Sequence, residues 1–168
     1  MTDRVKYPIG IQTFSKIREG SWLYVDKTRY VFDIAQKYQY VFLSRPRRFG
    51  KSLLTSTFHA YFSGRRELFR GLAIDQLEQD WEQHPVLHFS LATAKLGTVD
   101  DLFMQINLQL RLIEENSGID NSSISFPGAR MQADVLELYR KTGKQAVILF
   151  DEYDAPMLPV LQARENLD

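Results

Sequence analysis

The chain has 168 residues, enough for one domain, and its 44% apolar and 25% charged content is ordinary for a folded globular protein. Lysine plus arginine equals aspartate plus glutamate at 21 each, so no overall basic excess argues for nucleic acid and no acidic excess for disorder. There is no cysteine, which excludes disulfides and thiolate metal sites.

The N-terminus is polar and charged through Lys6, without the apolar centre of a signal peptide. Residues 24–26 read as a short extended stretch. From Thr28 a helix is expected, because Val31, Ile34, Ala35 and Tyr38 share one face. Residues 40–43 are rich in β-branched and aromatic types and predict a buried strand, broken by the proline and glycine of residues 44–50. A second helix is expected from Lys51, with Leu54, Phe58, Tyr61 and Phe62 at helical spacing and Gly64 as its stop. Residues 65–85 are charged and mixed, with short helical pieces at best. Residues 86–91 predict a second strand. Thr98 and Asp101 form a capping box for a helix striped by Val99, Leu102, Phe103, Ile106, Leu110 and Ile113. A polar loop is expected over residues 116–123 and a further helix over 129–141, ending near Gly143. Residues 146–150 are a continuous apolar run of strand length that ends on Asp151 and Glu152. This run is also the longest clean apolar stretch, far short of the ~20 residues of a bilayer span. Membrane insertion is therefore not expected, and the reading is a soluble, cytoplasmic protein. The alternation of strands and helices is the α/β rhythm, and apolar strands predict a parallel sheet covered on both faces.

Gly50-Lys51-Ser52 falls between a predicted strand and a predicted helix. Phosphate oxygens need inward-pointing backbone N–H groups, and a helix N-terminus supplies them with a favourable dipole. Gly50 lets the backbone approach, Lys51 reaches the β- and γ-phosphates, and the Ser52 hydroxyl ligates Mg²⁺. The full pattern Gly-x-x-x-x-Gly-Lys-[Ser/Thr] is broken at its first position, where Arg45 stands, and Pro46 has no backbone donor. The cations Arg45, Arg47, Arg48 and Lys51 are expected to offset the lost donor geometry. A bare Gly-Lys-[Ser/Thr] arises by chance in roughly one chain in ten of this length, so its weight rests on the strand before it and the helix after it.

Asp151 and Glu152 follow apolar strand formers directly. A carboxylate at the C-terminal end of a buried parallel strand lies on the ligand side of an α/β sheet. Asp151 there suits Mg²⁺, held through its water shell, and Glu152 suits polarisation of an attacking water. A solvated strand end is the plain alternative for the pair taken alone. Elsewhere, His59, His84 and His88 share no metal spacing, and Trp22 and Trp81 read as packing anchors. Tyr153 and Asp154 read as support for the acidic pair, with a turn before Pro156 an equal alternative for Asp154. Arg65, Arg66 and Arg70 read as a solvated helix face.

The run Ser44-Arg45-Pro46-Arg47-Arg48-Phe49-Gly50-Lys51-Ser52-Leu53-Leu54 resembles the signature of the bacterial AAA-ATPase-like family, whose members often carry a PD-(D/E)XK nuclease-like domain. The resemblance extends through residues 8–14, 24–28 and 68–72, and through Phe150-Asp151-Glu152-Tyr153-Asp154-Ala155-Pro156. It implies a three-layer αβα P-loop NTPase core of the additional-strand class, with residues 86–91 as the strand between Walker A and Walker B. It implies ATP and Mg²⁺ as ligands. Pro46, Arg47, Arg48, Phe49, Gly50, Lys51, Ser52 and Leu53 are then the nucleotide-binding loop, Ser52 and Asp151 the metal ligands, and Lys51 and Glu152 the catalytic residues. The whole chain is expected to be one domain, with residues 1–39 on the adenine side and 40–168 running from Walker A to Walker B.

In that class a sensor strand follows Walker B, and residues 157–168 offer none. Nor does a nuclease-like segment follow. The chain is therefore expected to be the N-terminal portion of a longer protein, binding ATP with weak or no turnover by itself. Its unpaired sheet edges would favour self-association or docking of the missing nuclease-like region. The competing readings are a nucleic-acid module using the loop cations, which the balanced charge does not favour, and an inactive remnant that mediates protein contacts.

Overall fold

A computed structural model describes residues 6–46, 48–91 and 98–155. The expectations about Arg47 and residues 157–168 lie outside the described residues. The chain divides into two compact units, Met1–Gln83 and His84–Asp168.

The first unit is helical: α1 (Phe14–Glu19), α2 (Thr28–Lys37), α3 (Lys51–Phe62), a 3₁₀ turn (Arg66–Phe69) and α4 (Ala73–Leu77). Its core joins Phe14, Val31, Ala60, Tyr61, Leu68, Phe69, Leu72 and Ile74, with Leu53, Leu54, Phe58 and Trp81 packed against it. The α3 stripe thus faces inward as its periodicity predicts, as do Val31 and Ala35 of α2, whereas Tyr38 follows the end of α2 and is 62% exposed; Trp81 is a packing anchor. The Asp26 carboxylate ties α2 to α4. Its Oδ1 accepts from the Thr28 amide at 2.8 Å and the Thr28 hydroxyl at 2.7 Å, while Oδ2 accepts from the Ala73 amide at 2.7 Å. Thr28 Oγ1 in turn accepts from the Ile74 amide at 3.1 Å.

Burial works to raise the Asp26 carboxyl, but the Thr28 and Ala73 donors outweigh it and hold the group below its ordinary value. A depressed folded pKa stabilises above the ordinary aspartate range, and that contribution is lost as pH falls through the folded value. Asp26→Ala is therefore expected to cost about 1–2 kcal/mol at neutral pH, from charge-assisted hydrogen bonds on a partly exposed group. Urea unfolding of both proteins should show the difference closing in acid.

Residues 40–43 correct an expectation. They form no strand, and Tyr40, Val41 and Phe42 are 86%, 56% and 74% exposed. β-branched and aromatic residues favour an extended backbone, but a strand also needs a ladder partner. Among the described residues the sheet has two strands, neither of them this stretch.

The second unit carries that sheet. β1 (Val86–Ser90) pairs in parallel with β2 (Val147–Asp151), Val86 opposite Val147 and Ser90 opposite Asp151. The intervening α5 (Val99–Ser117) and α6 (Pro127–Thr142) pack on it through Leu87, Phe89, Leu110, Ile119 and Leu138. α5 opens on the expected capping box of Thr98 and Asp101. It runs to Ser117, past the predicted loop start at residue 116, because Gly118 supplies the left-handed turn (φ +65°) that ends it. Pro127 opens α6 two residues before the predicted start, its fixed φ suiting a first helical position.

At Ser90 the Gln109 side chain acts like a third strand. Its Oε1 accepts from the Ser90 amide at 2.8 Å and its Nε2 donates to the Ser90 carbonyl at 3.0 Å. β2 is not covered on both faces, since Ile148 and Phe150 are 39% and 46% exposed. Its unbroken apolar run does not report two-sided burial here.

Candidate functional site

The predicted phosphate loop lies in the first unit. Ser44, Arg45 and Pro46 are exposed and irregular, and Phe49 is 70% exposed. Gly50 stands at the N-cap of α3 with φ +76° and ψ 22°, a left-handed backbone that glycine adopts without strain. Arg48, at φ +68°, adopts the same region at a steric cost. A Cβ built on Gly50 meets nothing within 4 Å.

Lys51 and Ser52 are the first two helical residues. The first hydrogen bond of the helix runs from the Leu54 amide to the Gly50 carbonyl at 2.9 Å. The amides of Lys51, Ser52 and Leu53 come before it and have no acceptor within the helix. Leu53 and Leu54 turn inward onto the core and fix how the helix presents that end.

One hydroxyl contact ties α3 to α1, and two more cap a carbonyl within α3. Ser56 Oγ accepts from the Phe14 amide at 3.0 Å and donates to the Leu53 carbonyl at 2.8 Å. Thr57, fully buried, donates to the Leu53 carbonyl at 2.7 Å. Neither residue was singled out from sequence, although short hydroxyl side chains among apolar helical positions are the available signal.

The acidic pair lies in the second unit. Asp151 ends β2, is buried at 8% exposure, and its Oδ1 accepts from the Glu152 amide at 3.0 Å. Leu91 extends the ladder by donating to the Asp151 carbonyl at 3.1 Å. Glu152 has φ +54°, a conformation a non-glycine residue adopts only under local constraint. The chain turns there, with the Ala155 amide donating to the Glu152 carbonyl at 3.0 Å. Burial lowers the basicity of the nearby His88, opposed by the charge of Asp151. Tyr153 is exposed and Asp154 half-buried within the turn. Arg65 pairs with Glu19 and Glu67, and Arg66 with Asp75, all partly exposed.

Among the described residues no group of three histidine or acidic side chains is arranged to hold a metal by itself. Among them, too, no helix is long and apolar enough to cross a membrane.

A family model described as "Predicted AAA-ATPase" matches residues 8–168. A protein of Azotobacter chroococcum mcd 1, described as "Uncharacterized protein in vnfD 5'region", is 40% identical over 164 residues, covering 96% of this chain. The chain spans 31% of that relative's length. No solved structure matches.

Proposed function

Because this chain belongs to the predicted AAA-ATPase family, we propose that it binds ATP with Mg²⁺, using a variant Walker A loop and a Walker B acidic pair. The observation that carries the reading is the left-handed Gly50 followed at once by Lys51 and Ser52 in the first turn of α3. A turn that leaves the first helix amides without intrahelical acceptors, with a lysine beside them, fits a polyphosphate.

In this reading Pro46, Arg47, Arg48 and Phe49 belong to the nucleotide-binding loop. The amides of Lys51, Ser52 and Leu53 receive phosphate oxygens, and the Lys51 ammonium neutralises the β/γ charge. The Ser52 hydroxyl is a Mg²⁺ ligand. Asp151 suits the metal's water shell, being an anionic oxygen donor at the C-terminal end of a parallel strand. Glu152 is the residue for orienting a water. The fold class in this reading is the additional-strand P-loop core, with β1 as the strand between the two motifs. Mg²⁺-dependent hydrolysis is proposed for the longer protein in the cytoplasm, with self-association or a nuclease-like region as its partner surface.

The test is titration of the chain with ATP, with and without Mg²⁺, followed by calorimetry. Saturable binding that Mg²⁺ strengthens is expected. No heat of binding at millimolar ATP would overturn the reading.

A further inference from the structure

The α5–α6 junction buries three ionisable groups that ATP binding does not use. Arg130 Nε donates to Glu114 Oε1 at 2.7 Å and its Nη2 to Glu114 Oε2 at 2.5 Å. Its Nη1 lies 3.5 Å from Asn107 Oδ1. The guanidinium's hydrogen bonds thus go to Glu114 and Asn107, and none goes to Asp134, four residues further along α6. Asp134 is fully buried. Its Oδ1 accepts from Asn121 Nδ2 at 3.0 Å, but among the described residues its Oδ2 has no donor. A buried carboxylate oxygen without a donor is costly, and one guanidinium cannot neutralise two carboxylates.

We propose that in mildly acidic solution Asp134 keeps its proton in the folded chain and donates it from Oδ2 to Glu114, making the α5–α6 junction a proton-dependent clasp. The orphan oxygen is then a donor rather than an unpaired acceptor. Glu114, with both oxygens on Arg130, takes the negative charge. A cavity of about 570 Å³ is lined by Glu114 and Arg130 but not by Asp134.

The other charged groups facing the clasp agree. Asp120 from the connecting loop and Arg111 and Glu115 from α5 line the same cavity. Arg111 pairs with Glu115 at 3.0 Å, leaving Asp134 no second cation from α5. From α6, Glu137 shares the Asn121 amide at 2.9 Å and adds negative charge. β1 contributes the apolar Leu87 and Phe89 to this core. Burial pushes the Asp134 carboxyl up to about 6, with the Glu114 charge and hydrogen bond adding to the rise and Asn121 and Arg130 opposing it. The neighbour moves the other way, because the Arg130 hydrogen bond outweighs burial and holds Glu114 low.

The sign follows directly. A raised folded pKa contributes stability that is full below the unfolded value and is lost as pH rises through the folded one. Helix packing at this junction should therefore loosen between about pH 4 and pH 6–7.

Asp134→Asn tests this, because the amide copies the protonated acid: Nδ2 donates to Glu114 and Oδ1 accepts from Asn121. Thermal melts of the full chain are run from pH 4.5 to 8, and the difference between variant and wild type is read at each pH. The variant's advantage over wild type should be smallest at pH 4.5 and grow with pH, so that it melts higher by roughly 4–8 °C at pH 7.5. The wild-type Asp134 side-chain carboxyl, followed by carbon-detected NMR, should titrate well above the ordinary aspartate range. A pH-independent difference, a variant less stable than wild type at neutral pH or unable to fold, or a carboxyl titrating near 4 or below would each overturn the proposal.

Discussion

Lys51→Ala is expected to weaken ATP binding by on the order of 30–150-fold, the effect of about 2–3 kcal/mol for a lost charge-assisted phosphate contact. The fold should not change. Lys51 opens α3, and alanine is at least as good a helix former. The Lys51 carbonyl, which accepts from the Thr55 hydroxyl at 3.1 Å, survives the substitution. Among the described residues no carboxylate pairs with the Lys51 ammonium, so its removal strands no partner. Calorimetric affinity should therefore collapse while the melting temperature without nucleotide holds within a degree or two. Asp151→Asn separates the two motifs. It should leave metal-free nucleotide binding intact and remove the gain from Mg²⁺. Wild-type affinity in Lys51→Ala would show that the turn at Gly50 is only a helix start.

What could be read beforehand was mostly local in sequence. The capping box at Thr98 and Asp101, the stops at Gly64 and Gly143, and the apolar stripes of α3 and α5 depend on neighbours within one or two turns. The turn at Gly50 was legible for the same reason, since only glycine enters the left-handed region freely. Arg48 takes a similar φ without any such mark.

Segments whose structure depends on distant partners were not legible. Residues 40–43 have strand composition, but composition does not say whether a ladder partner is present. Helix α1 is six residues long with only Phe14 and Ile17 buried, too short for a periodic signal, and it is held by Ser56 and the Phe69 ring far along the chain. The clasp of Glu114, Arg130 and Asp134 left a weak trace. Glu114 follows Leu110 by one turn on the inward stripe of α5, a charge at an apolar position. That anomaly marks a buried partner without saying which residue it is.

Phe69→Ala is expected to cost about 3–5 kcal/mol, the usual loss for deleting a fully buried ring. The 3₁₀ turn delivers this side chain to the centre of the first unit at 0% exposure. Its ring centroid lies 4.7 Å from Phe14, 5.1 Å from Trp81 and 6.4 Å from Tyr61. Those three rings arrive from separate segments, and rigid aromatic neighbours cannot collapse into the vacated space as flexible side chains would. Most of the cavity cost should therefore remain. The loss also reaches α3, because Phe14 both packs on Phe69 and donates its amide to Ser56. Urea unfolding followed by tryptophan fluorescence should show the midpoint fall sharply, Trp81 being in contact with the deleted ring. If the damage is to stability alone, saturating ATP and Mg²⁺ should raise the melting point of Phe69→Ala as they raise that of wild type, since a ligand that binds only the folded state stabilises by mass action. Rescue in Phe69→Ala but not in Lys51→Ala would separate a residue that holds the loop's scaffold from one that touches the nucleotide. A midpoint shift worth less than about 1 kcal/mol would mean that the core relaxes around the lost ring, and that Phe14 and Trp81 are not as fixed as their packing implies.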